Sequence, residues 1–235
     1  MTDGRTPLAL GSALMGGLAA LCLASCQSVD TRHHVVVSVA DQKLVLLNSG
    51  QVAGSYRVST SRYGLGDWRG SYRTPVGKLV VARKIGDRYP AGAVFKSRQW
   101  NGEVLPPNAP GRDPVVSRIL WLRGRETRNR NAFGRMIYIH GTTEERNLGR
   151  PASFGCVRMR SQDVIDLFDR VRVGTPVTIL PGHLPMAVHT AWLNGHPKPA
   201  AQLAAAGPAR PAAPARPEVA EARKPQPAPA KHGKG

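Results

Sequence analysis

Residues Arg135–Arg160 read RMIYIHGTTEERNLGRPASFGCVRMR. Met136-Ile137-Tyr138-Ile139 is a short apolar run with β-branched members, which predicts a strand ending on His140. Gly141 follows and lets the chain turn. Cys156 lies sixteen positions after His140, between Gly155 and Val157, in a stretch of small and polar residues. A thiol with pKa ~8.5 is only a few per cent thiolate at neutral pH, so a nucleophilic cysteine needs a neighbouring base or cation. An imidazole beside it lowers that pKa and holds an ion pair. The stretch therefore predicts a strand end and a loop that folding brings together.

The rest of the chain makes that cysteine stand out. There are three cysteines. Met1–Asp30 has a short polar start and an apolar run from Leu8 to Ala24, the shape of a secretory leader too short and glycine-rich for a stable span. It closes on Leu23-Ala24-Ser25-Cys26, which resembles a bacterial lipobox. Residues 1–25 are accordingly expected to be a lipoprotein signal peptide, with Cys26 lipidated and 26–32 a linker. Gln27 after the cysteine favours the outer membrane. Cys22 leaves with the leader, so Cys156 is a lone thiol in an oxidising compartment. The bland reading is a buried, inert cysteine; the small, polar setting of Ser153–Arg158 argues for a nucleophile.

Residues 33–181 suffice for one domain. His34–Val39, Lys43–Leu47, Gln51–Ser59, Lys78–Ala82, Ile119–Leu122 and Thr175–Leu180 read as strands. Turns are expected at Asp41-Gln42 and Asn48-Ser49-Gly50, and a type I turn at Thr74-Pro75-Val76-Gly77. One helix is expected near 161–172, capped by Ser161, with Val164, Ile165, Leu167, Phe168 and Val171 on its apolar face. His33 and His34 read as loop. Residues 182–235, rich in Pro, Ala and Lys with few large apolar side chains, read as a disordered tail.

His140-Gly141-Thr142 followed by Ser153-x-Gly155-Cys156-Val157-Arg158 resembles the active-site signature of the L,D-transpeptidases, the YkuD-type catalytic domain. Thr74-Pro75-Val76-Gly77 resembles a milder hallmark of the same family, and Val173–Val177 its usual lead into the last strand. The resemblance covers roughly His33 to Leu180. It implies a mostly β sandwich with a mixed sheet and a loop covering the active-site groove, placed at about Tyr89–Phe133. It implies Cys156 as nucleophile and His140 as base. Backbone amides of Gly155, Cys156 and Phe154 would form the oxyanion site, each donor worth about 2.7–4 kcal/mol of barrier. Ser153, Arg158, Gly141 and Tyr138 would shape the site, with Arg158 either meeting a substrate carboxylate or holding the loop. Phe154 stands where the family usually has His, directly before the Gly-Cys pair.

The implied reaction is attack on the third residue of a peptidoglycan stem peptide, release of the terminal D-Ala, and transfer of the acyl group to an amine to give 3→3 cross-links or other attachments. Water as acceptor gives an L,D-carboxypeptidase. A wall-binding lipoprotein with no catalysis is the non-enzyme alternative. No metal or organic cofactor is required, and the histidines lack metal-ligand spacing. The expected partners are stem peptides and, through the lipid, a membrane; the chain is expected to be a monomer facing the periplasm. A net charge of +18 suits carboxylate-bearing wall polymers. Nucleic acid is excluded by export and by the lack of a helix-turn-helix or stacking motif. Arg123, Arg125, Arg128 and Arg130 read as either a carboxylate clamp on the covering loop or a solvated loop.

Overall fold

The computed structural model describes Met1, residues 30–186 and Val188. The expected leader, Cys22, Cys26 and nearly all of the expected tail lie outside these residues. Ten strands form one mixed sheet: β1 His33–Ser38, β2 Lys43–Asn48, β3 Gln51–Ser59, β4 Gly77–Ile85, β5 Ala93–Lys96, β6 Gln99–Val104, β7 Val115–Gly124, β8 Tyr138–Gly141, β9 Val157–Met159 and β10 Pro176–Leu180. The α-helix α1 spans Ser161–Arg170.

The spatial order is β4-β10-β1-β2-β3-β9-β8-β7-β5-β6, and an additional β4–β7 pairing closes the sheet on itself. The two layers of the expected sandwich are thus one continuous surface, with the β5–β6 hairpin hanging from β7. Two ladders are parallel, β1 with β10 and β8 with β9. Alternation along the strands supplies the core. Val35, Val37, Leu44, Leu46, Leu79, Val81, Leu120, Leu122, Ile139, Val177 and Ile179 point inward with Val164, Leu167 and Phe168 of α1. Each fully buried side chain of this size contributes roughly 1.5–3 kcal/mol.

The β2–β3 turn needs left-handed backbone at both central positions, Ser49 (φ 49°) and Gly50 (φ 80°), as a tight hairpin requires. Other local expectations are corrected. Thr74–Gly77 is extended, not a turn: Thr74 bridges to Leu65, and Gly77 opens β4 in the left-handed region at φ 98°. Ser161 is the first helical residue and does not cap α1. Its N–H donates instead to the Glu145 carboxylate at 2.9 Å, and its hydroxyl accepts from Ser117 Oγ at 2.8 Å. His33 and His34 begin β1, where His33 meets Asp30 and His34 meets Thr178 Oγ1 at 2.8 Å.

The segment expected to be a covering loop carries three strands, β5, β6 and β7, and β7 is an interior strand. The part that covers the site is the β5–β6 hairpin. At its turn, Ser97 and Arg98 both have positive φ, and Arg98 lies over the Trp121 ring (5.1 Å) and donates to Met136 Sδ at 3.4 Å.

Candidate active site

β8 and β9 bring the two residues of the opening stretch onto one surface. Their parallel register pairs Ile139 with Val157 and His140 with Arg158. Ile139 and Val157 face the core, so Tyr138, His140 and Arg158 face outward; Cys156, one step before β9, falls opposite Tyr138. His140 and Cys156 are therefore diagonal neighbours on adjacent strands, with Cα positions roughly 8 Å apart from strand spacing and rise.

The chemistry of each is set by its surroundings. His140 is buried, and its Nδ1 lies 2.7 Å from the Gly141 carbonyl oxygen. A carbonyl only accepts, so Nδ1 carries the proton and Nε2 is left as the basic nitrogen. Gly141 thus serves through its carbonyl. Burial pushes the imidazole down to about 4; the Gly141 carbonyl opposes this, while the Arg158 guanidinium adds to it.

The Cys156 thiol donates to the Met136 carbonyl at 3.5 Å and accepts the Tyr138 N–H at 3.4 Å. Part of the residue stays open, yet the protein packed around the sulfur pushes its pKa up to about 11, against the opposing pull of the Tyr138 amide, Arg158 and Arg135. This corrects the expected thiolate–imidazolium pair. Among the described residues no hydrogen bond joins imidazole to thiol, and both shifts favour the neutral forms.

The loop carrying Cys156 is held from three sides. Ser153 is fully buried; its hydroxyl donates to the Cys156 carbonyl at 2.6 Å and accepts the Gly155 N–H at 3.2 Å. The Gly155 amide is therefore occupied. The amides of Phe154 and Cys156 donate to no acceptor among the described residues. Gly155 sits at φ 120°, where a Cβ would press on the Arg73 carbonyl at 3.2 Å. Thr74 is fully buried; its hydroxyl donates to the Gly155 carbonyl at 3.0 Å and accepts the Ser61 N–H at 3.0 Å. The Thr-Pro-x-Gly motif thus acts by clasping the cysteine loop, a role its reading as a turn missed.

Arg158 does not reach toward a substrate carboxylate. Its guanidinium pairs with Asp113 at 2.9 Å and Glu144 at 3.5 Å, and donates to the Ala152 carbonyl at 3.4 Å. Asp113 in turn accepts from Thr142 Oγ1 at 2.5 Å and the Thr143 amide at 3.2 Å, so this cluster fixes the segment after His140. Tyr138 packs edge-on against Trp121, with ring centroids 5.6 Å apart.

Arg135 was silent in the sequence. It is a buried clamp on the 66–73 loop, donating to the Gly66 carbonyl (3.1 Å), Asp67 (3.0 Å) and the Arg73 carbonyl (2.7 Å). That loop and Phe154 carry an exposed aromatic group. The Tyr63, Tyr72 and Phe154 centroids lie 5.6–5.9 Å apart, and the Arg62 guanidinium is 4.3 Å from the Phe154 ring centre. Phe154 is 48% exposed, so its ring contributes surface, not packing. The arginine series lies away from the thiol. Arg128 pairs with Glu126 at 2.9 Å, while Arg123 and Arg125 line a separate cavity.

A mixed sheet thus presents an outward thiol and a buried imidazole with its Nδ1 on a carbonyl, on neighbouring parallel strands. The L,D-transpeptidase catalytic domain profile (YkuD) matches residues 32–179, and the chain belongs to this family. The putative L,D-transpeptidase YqjB of Bacillus subtilis is 30% identical over 146 residues, spanning 62% of this chain and 70% of that protein. The probable L,D-transpeptidase ErfK/SrfK of Salmonella typhimurium is 28% identical over 173 residues, 70% of this chain and 50% of that one. The chain thus spans only about half of some curated relatives. Among solved structures, L,D-transpeptidase 3 of Mycobacterium tuberculosis, in complex with a faropenem-derived adduct, is 19% identical with a TM-score of 0.42, covering 63% of this chain and 60% of that one.

Proposed function

We propose that the protein is a peptidoglycan L,D-transpeptidase in which Cys156 attacks and His140 moves the proton. The observation that carries this reading is the β8–β9 register, which puts the thiol and the imidazole on one outward face while the Gly141 carbonyl fixes the ring with Nε2 unprotonated. With Nδ1 bonded to the Gly141 carbonyl and both shifts favouring the neutral forms, the reading is general-base catalysis: the thiol proton passes to Nε2 as sulfur bonds to the carbonyl carbon of the third stem residue. The developing oxyanion meets the Cys156 and Phe154 amides, the Gly155 amide being held by Ser153. Collapse breaks the bond to D-Ala, whose amine takes the proton from the imidazolium and leaves a thioester on Cys156. An incoming amine then gives a proton to His140, attacks the thioester and expels the Cys156 thiolate, which takes that proton back from His140.

The reading extends to export and attachment. The apolar run Leu8–Ala24 and Leu23-Ala24-Ser25-Cys26 support a signal peptide with lipid on Cys26, holding a domain of residues 33–181 at a periplasmic membrane face. Palmitate labelling that persists in Cys26→Ser refutes that attachment. For the reaction, the purified chain is mixed with tetrapeptide-bearing muropeptides and followed by mass spectrometry. The expected products are a 3→3 dimer and free D-Ala, both lost in Cys156→Ala. Free D-Ala with tripeptide and no dimer assigns water as the acceptor. Binding without turnover, or turnover that survives Cys156→Ala, defeats the proposal.

A further inference from the structure

A cavity of about 760 Å³ on the β4–β10 part of the sheet is lined by Lys78, Arg83, Arg123 and Arg125, with His34 and Thr178, and has no carboxylate in its wall. Strand register connects it to the thiol. Cys156 falls opposite Tyr138, Tyr138 pairs with Trp121, and Trp121 pairs with Arg83, so one cross-strand row runs from the sulfur to a cation of the cavity. Three strand spacings make this roughly 14 Å, the length of about four extended residues.

The row is aromatic and buried, Trp121 and Tyr138 being 8% and 6% exposed, with Phe133 packed against them. Trp121 stacks on Phe133 with centroids 4.2 Å apart, and guanidinium groups lie over both rings, Arg83 and Arg98 on Trp121 and Arg123 on Phe133. From Trp121 the cations then follow β4 and β7. Arg123 lies opposite Val80, and the Arg125 amide donates to the Lys78 carbonyl at 3.0 Å. They are strung along the strands and do not converge on one point. That spacing suits several separated carboxylates on a polymer, not one compact anion.

We propose that this cavity is a second substrate contact, an anion site that holds carboxylates of a peptidoglycan segment while its stem crosses the surface above the buried Trp121 to place the reacting carbonyl at Cys156. The proposal rests on the acyl-transfer reading for its substrate class, and its test reads binding without turnover. The full-length chain carrying Cys156→Ser is sedimented with insoluble sacculi, with and without Lys78→Glu and Arg125→Glu, both exposed positions. Reversing two charges is expected to raise Kd about tenfold at low salt, with the gap closing as salt is added. Sacculi whose carboxylates have been amidated should bind the unreversed chain as weakly as native sacculi bind the reversed one. A Lys78→Gln, Arg125→Gln chain with an unshifted melting curve should weaken in the same direction, which separates loss of binding from loss of fold. Equal binding by the reversed chain, or undiminished binding to amidated sacculi, overturns the proposal. So does a charge-dependent affinity for anionic phospholipid vesicles with none for sacculi, which would assign the cavity to phosphate headgroups.

Discussion

Replacing Thr74 by Val keeps the shape of the side chain and removes its hydroxyl. In the fully buried position of Thr74 that hydroxyl makes two hydrogen bonds, to the Gly155 carbonyl and from the Ser61 amide, each at 3.0 Å. A buried donor or acceptor left unmet costs about 1–3 kcal/mol, so the pair is worth roughly 3 kcal/mol. The loss falls on the junction between the 61–74 loop and the cysteine loop. The fold should therefore survive with Tm lowered by about 6–12 °C, at 2–4 °C per kcal/mol for a domain of this size. Release of D-Ala should fall about a hundredfold, the usual cost of an ångström of misplacement at a reacting atom. Thr74→Ser keeps the hydroxyl and should restore most of the rate. Melting by circular dichroism and D-Ala release from a tetrapeptide are the two assays. A Thr74→Val protein that melts within about 1 °C of the parent and turns over within about twofold would refute the clasp.

Three further outcomes follow from the same site. With the Cys156 thiol pushed up to about 11, alkylation by iodoacetamide should rise about tenfold per pH unit from 7 to 10; a plateau beginning near pH 6 would restore the ion pair. The linked stability has a definite sign. The raised thiol makes folding less favourable as pH climbs from 9 toward 11, because the unfolded thiol ionises first. The lowered imidazole makes it less favourable as pH falls from 6.5 toward 4, because the unfolded ring protonates first. Urea melts across that range check both limbs. Asp113→Asn leaves the Arg158 guanidinium without its nearest carboxylate in a site where both side chains are 10% exposed. About 3 kcal/mol should be lost, at the low end for a broken buried pair because Glu144 remains 3.5 Å away; a loss under about 1 kcal/mol in chemical denaturation would contradict it.

Much of this was written in residue type and spacing. Strand after strand announced itself through β-branched runs, and α1 through its apolar face, because each depends on a local period. His140 and Cys156 stood out as candidates because few residue types perform nucleophilic chemistry, and the fold brings them onto adjacent strands. What escaped was set by tertiary partners. Thr74 reads as a turn residue until the Gly155 carbonyl is seen above it. Asp113 and Arg135 are ordinary charges in sequence, and only folding buries them against the loops they hold. Arg158 had two readings, and its carboxylate partners lie 14 and 45 positions away, at Glu144 and Asp113. The titration of the thiol was read backwards for a related reason: sequence proximity of a histidine says nothing of how much protein surrounds the sulfur.

The parallel pairing of β8 and β9 has a consequence for how such a chain can vary. Two strands running the same way cannot be joined by a tight reversal; the connection must travel back the length of the ladder, which takes a dozen or more residues. Fifteen residues, 142–156, make that return journey here. The interval separating His140 and Cys156 along the chain thus has a lower bound imposed by topology. Insertions there can loop outward without moving either side chain, whereas a deletion of more than a few residues would pull one strand out of register and carry the imidazole and the thiol apart.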